Sequence, residues 1–115
     1  MSRILYLCGP MSGLPEENYP AFHAATAALR ASGYSVVNPA ETCLPRSAPW
    51  ISHMRKDIAD MVNTCDGVAT LTGCEASRGA VIEIGLATGL GFPVHSVEKW
   101  LEFAASVAAA ESLMD

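Results

Sequence analysis

The sequence predicts an α/β fold in which short strands alternate with helices around a parallel sheet. An apolar run near the N-terminus is typical of a strand buried on both faces, and later apolar runs alternate with segments of helical periodicity. The 115 residues fit one domain, 1–115, because no linker or internal repeat interrupts them. Half of the residues are hydrophobic and 17% are charged, so we expect a packed core.

Four apolar segments are predicted as strands. The first, Ile4–Cys8, is continuously apolar, as expected of a parallel strand with helices on both sides. The last contains Pro93, which suits an edge strand or the start of a strand. This last predicted strand spans residues 92–95, and the two between them span residues 34–37 and 68–71.

Four segments carry apolar residues at helical spacing. The first has Phe22, Ala25 and Leu29 on one face and is stopped by Gly33. The next two span residues 51–64 and 80–90. The last, residues 97–114, carries an apolar stripe of Trp100, Phe103, Val107 and Ala110, which we expect to pack on the sheet or on a second subunit.

Charge and composition exclude several classes of function. The formal net charge is -5 and the seven basic residues are scattered, which argues against binding of a nucleic-acid duplex. No apolar run reaches the roughly 18 residues that a membrane helix needs, and the first apolar run is too short for a signal peptide. The four cysteines lack C-x-x-C spacing, so we expect buried, reduced thiols in a cytoplasmic protein.

Ligands of open parallel sheets bind beyond the carboxyl ends of the strands, near the point where the strand order reverses. This rule nominates three loops, which span residues 9–15, 38–49 and 72–79. Arg46 and Trp50 border the second of these loops, where they would cover a ligand or contribute to packing.

Glu83 is the strongest candidate for chemistry. On a helix its neighbours three and four positions away are Gly79, Ala80, Leu86 and Ala87, all small or apolar. A carboxylate in such surroundings loses hydration, which raises its pKa unless a partner compensates. The alternative is a glutamate on a narrow polar stripe beside a loop.

Other candidates are weaker when each is considered alone. Asp57 lies at the flank of the apolar stripe of its helix, where pairing with His53 would also explain it, whereas Asp60 and Lys56 resemble a solvated ion pair. Ser77 is a plausible helix N-cap that is also placed to bind an anion. The loop after the first strand has exposed backbone amides that would bind a phosphate or sugar oxygen. It consists of Gly9, Pro10, Met11, Ser12 and Gly13. The histidines show no metal-ligand spacing, so no metal site is predicted.

Several of these residues form an ordered set of motifs. The set comprises Tyr6-Leu7-Cys8-Gly9-Pro10, Asp57, Cys65-Asp66 before a strand, Glu83-Ile84-Gly85-Leu86-Ala87, and Gly91-Phe92-Pro93-Val94. The sequence thereby resembles the nucleoside 2-deoxyribosyltransferase-like family, in particular its small phage and bacterial members and the related 2'-deoxynucleoside 5'-phosphate N-hydrolases. The resemblance covers about residues 3–95.

This resemblance implies a flavodoxin-like three-layer sandwich with a parallel sheet of four to five strands. It also implies cleavage or transfer at the N-glycosidic bond of 2'-deoxynucleosides or their 5'-monophosphates, without a cofactor. By the same resemblance Glu83 attacks C1', Tyr6 positions Glu83, and Asp57 protonates the departing base. Ser77, together with Gly79 two positions later, would bind the sugar or the phosphate. Because the family's transferases complete each site with a residue of a neighbouring subunit, the resemblance also implies a homo-oligomer.

Two features depart from the family pattern. Residues 97–115 contain no asparagine of the kind that transferases contribute to a neighbouring site, and the loop after the first strand lacks the arginine of the hydrolases. A non-catalytic nucleotide-binding or sensing module of the same fold is therefore the alternative prediction. A third hypothesis is an interaction protein that uses the apolar face of its last helix.

Overall fold

The computed structural model describes residues 3–114 and contains one parallel sheet with strand order β2-β1-β3-β4. The strands are β1 (Ile4–Cys8), β2 (Ser35–Val37), β3 (Gly67–Thr70) and β4 (Val94–Ser96). The helices are α1 (Tyr19–Ala31), α2 (Trp50–Thr64), α3 (Arg78–Gly89) and α4 (Val97–Met114). Every strand pair is parallel, with Leu5 of β1 opposite Val36 on one side and Gly67 on the other.

The helices form two layers because side chains of β1 point alternately to opposite faces of the sheet. Leu5 and Leu7 pack in one core with residues of α1 and α4. Tyr6 and Cys8 belong to a second core with residues of α2 and α3. This arrangement confirms the predicted α/β class and the three-layer sandwich, and its strand order is that of flavodoxin-like folds.

Two boundaries differ from the prediction for identifiable reasons. Helix α3 begins at Arg78, two residues early, because the Ser77 side chain accepts a hydrogen bond of 3.3 Å from the N–H of Ala80 and caps the helix. Strand β4 begins later than predicted, because the Phe92 N–H still bonds the Ala87 carbonyl at 2.9 Å in the turn that ends α3.

The apolar stripe of α4 is only partly covered by the chain. Trp100 is buried and its indole N–H donates a 2.9 Å hydrogen bond to the Val68 carbonyl, whereas Phe103 is half-buried. Val107 is 57% exposed and Ala110 is also exposed. The reason is length: 18 helical residues extend about 27 Å, about twice the length of the four-residue strand β3 beneath them.

The predicted burial of the cysteines holds for Cys8 and Cys65, whereas Cys74 is half-buried and Cys43 is exposed. Cys43 lies in the long loop between β2 and α2, where no element of the core covers it, so the prediction is wrong for this thiol. Across residues 3–114, none of the helices combines the length and apolarity required to cross a bilayer.

Candidate active site

A cavity of about 820 Å³ opens at the carboxyl end of the sheet, beside the ends of β1 and β3 where the strand order reverses. All three loops nominated from the sequence contribute to its wall. All ten predicted site residues also line it, although their individual roles stay predictions. They are Tyr6, Gly9, Pro10, Met11, Ser12, Gly13, Asp57, Ser77, Gly79 and Glu83.

Glu83 lies on the face of α3 that packs against the sheet, and its predicted burial is confirmed, since it is 5% exposed. Its Oε2 accepts a hydrogen bond of 2.7 Å from the hydroxyl of Tyr6. Its Oε1 accepts one of 3.3 Å from the thiol of Cys8. Both donors reach the same carboxylate because they are two residues apart on β1 and so share one face of the sheet.

The protonation of this cluster follows from burial and hydrogen bonding. Burial raises the pKa of Glu83 above its ordinary value, and the hydrogen bonds from Tyr6 and Cys8, which favour its anion, offset part of that rise. Burial and the charge of Glu83 raise the pKa of Tyr6 and of Cys8 well above their ordinary values. Both groups therefore remain neutral donors to the carboxylate.

Asp57 is half-buried on α2 and, unlike Glu83, accepts no hydrogen bond from a side chain among residues 3–114. Burial first, and then the negative charge of Glu83, raise the pKa of Asp57 to about 7. Within residues 3–114 no side chain donates a hydrogen bond to its carboxyl group, so only the positive charge of Lys56 offsets these effects. With a pKa of about 7, Asp57 is able to hold or release a proton near neutral pH.

The alternative explanation for Asp57 is an ion pair with His53, like the pair expected between Asp60 and Lys56. The ring of His53 instead lies 3.1 Å from the Pro45 carbonyl through Nε2. Lys56 and Asp60 form the predicted ion pair, with 2.6 Å between Nζ and Oδ2. Asp57 is therefore free of both and lines the cavity.

Two of the predicted glycines have a packing role in addition to any role in binding. A Cβ at Gly9 would lie 2.8 Å from the Cβ of Leu71, so the absence of a side chain lets the end of β1 approach the end of β3. A Cβ at Gly79 would lie 3.1 Å from the sulfur of Met54, so this glycine lets α3 approach α2.

Two arginines stack on aromatic rings that also line the cavity. The guanidinium carbon of Arg46 lies 4.2 Å from the centroid of the Tyr19 ring, and that of Arg78 lies 4.6 Å from the centroid of the Trp50 ring. In the part of the chain that the structure describes, neither arginine forms an ion pair with a carboxylate. The cavity of this acidic protein therefore has cationic groups in its wall.

Sequence reasoning places Cys8 in the core and does not connect it with Glu83. The available signal is its spacing of two residues from Tyr6 on a strand. Arg78 is likewise missed as a site residue, although it stands between Ser77 and Gly79. Among residues 3–114 no three His, Cys, Asp or Glu side chains converge closely enough to hold a metal ion.

Together the fold and the site define a class: a flavodoxin-like α/β protein with a buried glutamate and a second acid in a cavity beside the sheet's reversal point. A family model described as "Domain of unknown function (DUF4406)" matches residues 3–96, and the chain belongs to this family. No curated protein matches the sequence.

Among solved structures, the fold is similar to that of a 2-desoxiribosyltransferase from Leishmania mexicana. The TM-score is 0.61 with 20% sequence identity, and the match covers 80% of this chain. It covers 61% of that chain, so this protein spans less than two thirds of its structural neighbour. At this identity the likeness shows a shared fold, which agrees with the fold that the resemblance implies.

Proposed function

We propose that the protein cleaves the N-glycosidic bond of 2'-deoxynucleosides or their 5'-monophosphates, with Glu83 as the nucleophile. One observation carries the proposal: the buried Glu83 carboxylate in the cavity receives hydrogen bonds from Tyr6 and Cys8, while the pKa of Asp57 in the same cavity is raised to about 7. An anion and an acid in one cavity are the two groups that glycoside cleavage requires.

In the first step an oxygen of Glu83 forms a bond to C1' of the sugar as the bond from C1' to the base nitrogen breaks. The bonding electron pair leaves with the base, and the carboxyl group of Asp57 donates a proton to it. The transition state carries positive charge on the sugar, which the adjacent carboxylate stabilises. The products are a free base, a glycosyl ester of Glu83 and the Asp57 carboxylate.

In the second step the ester is opened by water or by a second base. Asp57, now ionised, accepts a proton from the attacking group, and the C1' bond to Glu83 breaks with its electron pair returning to the carboxylate. Water yields the free sugar and a second base yields a new nucleoside. Both acids return to their starting state, so the cycle balances without a cofactor.

A 5'-monophosphate is the substrate class that the cavity wall favours. Ser77 and Arg78 stand at the N-terminus of α3, where unpaired N–H groups and the helix dipole attract anions. Arg78 adds a full positive charge and lines the cavity. We expect Arg78→Met to raise KM for the monophosphate without raising KM for the nucleoside, with exposed Arg55→Met as the matched control.

The decisive test measures free base after incubation with deoxynucleosides, ribonucleosides and their 5'-monophosphates. Glu83→Gln should abolish base release while keeping the shape of the side chain, and the exposed Glu98→Gln should leave it unchanged. Trapping of a glycosyl ester on Glu83 by mass spectrometry would identify the nucleophile. Nucleotide binding without base release from any substrate would contradict catalysis and favour the alternative, a non-catalytic nucleotide-binding module.

We also expect a homo-oligomer, a dimer or a dimer of dimers, because the motifs resemble a family whose sites are completed across subunits. Light scattering coupled to sizing measures the mass directly. A monomer at micromolar concentration would contradict this expectation.

A further inference from the structure

Cys8 is a buried thiol that the proposed reaction does not use. Its side chain is 1% exposed at the carboxyl end of β1. Its sulfur lies 3.3 Å from Oε1 of Glu83 and 3.7 Å from the backbone carbonyl oxygen of Ala80 on the same helix. One S–H group carries a single proton, so the thiol donates chiefly to one of these two acceptors at a time.

The two oxygens of Glu83 are held unequally. Oε2 accepts from the Tyr6 hydroxyl at 2.7 Å, which is the length of a strong O–H to carboxylate bond. Oε1 accepts only from a thiol, which is a weak donor. A strongly bonded oxygen has less electron density available for attack, so Oε1 is the more nucleophilic oxygen of the pair.

We propose that Cys8 is a positioning residue for Glu83, whose thiol orients Oε1 as the attacking oxygen and turns to the Ala80 carbonyl when Oε1 becomes an ester oxygen. An ester oxygen is neutral and accepts hydrogen bonds more weakly than a carboxylate, so the second acceptor keeps the buried S–H partnered through the cycle. The inference rests on the proposed function of Glu83 and adds the choice of oxygen.

The electrostatic surroundings keep this thiol in its donor form. Burial and the negative charge of Glu83 raise the pKa of Cys8 far above its ordinary value, so it neither ionises nor competes as a nucleophile. The ionisable groups that face this cluster are Tyr6 from the same strand, Asp57 from α2, and Cys74 from the segment before α3.

The first test requires no substrate. Carboxyl resonances of protein labelled in glutamate side chains are titrated by NMR, with Glu83 assigned through Glu83→Gln. Relative to the wild type, Cys8→Ala should raise the pKa of Glu83 and Cys8→Ser should lower it, each by about 0.5 to 1 pH unit. Cys65→Ser, a buried thiol in the same core that does not contact Glu83, should cause no shift.

The second test is kinetic. Both Cys8 variants should lower kcat roughly tenfold with little change in KM, and the acid limb of the pH profile should move in opposite directions in the two variants.

Infrared spectra should show the S–H band of Cys8 shifting when Glu83 is replaced by Gln. If base release is present but unchanged in both Cys8 variants, or if both shift the titration in one direction, the positioning role is overturned.

Failure of the proposed function has a different signature. Opposite titration shifts in the two Cys8 variants, with no base release from the wild type, would confirm the contact between Cys8 and Glu83. The absence of base release would overturn the nucleophilic role of Glu83 and, with it, the role of Oε1 as the attacking oxygen. Urea unfolding of each variant verifies that it is folded before either test.

Discussion

The hydroxyl of Tyr6 donates a hydrogen bond of 2.7 Å to Oε2 of Glu83 and so joins β1 to α3 across 77 positions of the sequence. Both side chains are almost fully buried, at 1% and 5% exposure. Because the surroundings are apolar, the bond both stabilises the glutamate anion and fixes the orientation of the carboxylate. The proposed chemistry of the cavity depends on this contact.

Tyr6→Phe is expected to remove the bond while preserving the packing of the ring. The Glu83 anion then loses a donor, so the pKa of Glu83 rises and base release near neutral pH falls about 10- to 100-fold. The folded state loses about 1–3 kcal/mol, because a buried oxygen is left unsatisfied. The pH profile of base release and urea unfolding measure the two effects, and an unchanged acid limb would contradict the assignment.

Asp57 is expected to set the alkaline limit of activity. Its carboxyl must be protonated to protonate the leaving base, and its pKa is raised to about 7, so kcat/KM should fall as pH rises through this value. Asp57→Asn should lower the rate and abolish the alkaline limb, whereas Asp60→Asn on the same helix should retain it. A wild-type profile that stays flat well above neutral pH would exclude Asp57 as the acid.

The same raised pKa predicts a dependence of stability on pH. Between the ordinary aspartate pKa of about 3.9 and the folded value of about 7, the unfolded chain has released the Asp57 proton while the folded chain retains it. The contribution of Asp57 therefore lowers the free energy of unfolding as pH rises through this window.

Asp57→Asn removes this contribution. Because Asp57 is only half-buried, we expect the variant to gain about 1–2 kcal/mol over the wild type near pH 8 and almost nothing near pH 4. Urea unfolding at both pH values measures the difference. An equal effect at the two values would show that the ionisation of Asp57 does not contribute to stability.

Gly9→Ala tests whether the glycine after β1 is required for packing. The new Cβ would lie 2.8 Å from the Cβ of Leu71, so we expect a loss of about 1–3 kcal/mol in the free energy of unfolding. Gly85→Ala is the matched control: nothing lies within 4 Å of its added Cβ, and a gain of about 0.5–1 kcal/mol is expected in the helix.

The strands, the helices and the burial of Glu83 are readable from the amino-acid sequence. Apolar runs and helical periodicity reflect which faces are covered, and that information is local. The burial of Glu83 also follows locally, because its helical neighbours Ala80 and Ala87 are buried with it. The capping of α3 by Ser77 depends on residues three positions apart and is equally readable.

Contacts between residues that lie far apart in the chain arise only in the folded protein. Cys8 contacts Glu83 over 75 positions, a pairing that depends on how α3 lies over β1. Its spacing of two residues from Tyr6 places it on the same face of the strand but does not identify its partner. The raised pKa of Asp57 depends on burial and on the charge of Glu83, which acts through space from another helix. The exposure of Val107 has the same origin, since it is decided by where the sheet ends beneath α4.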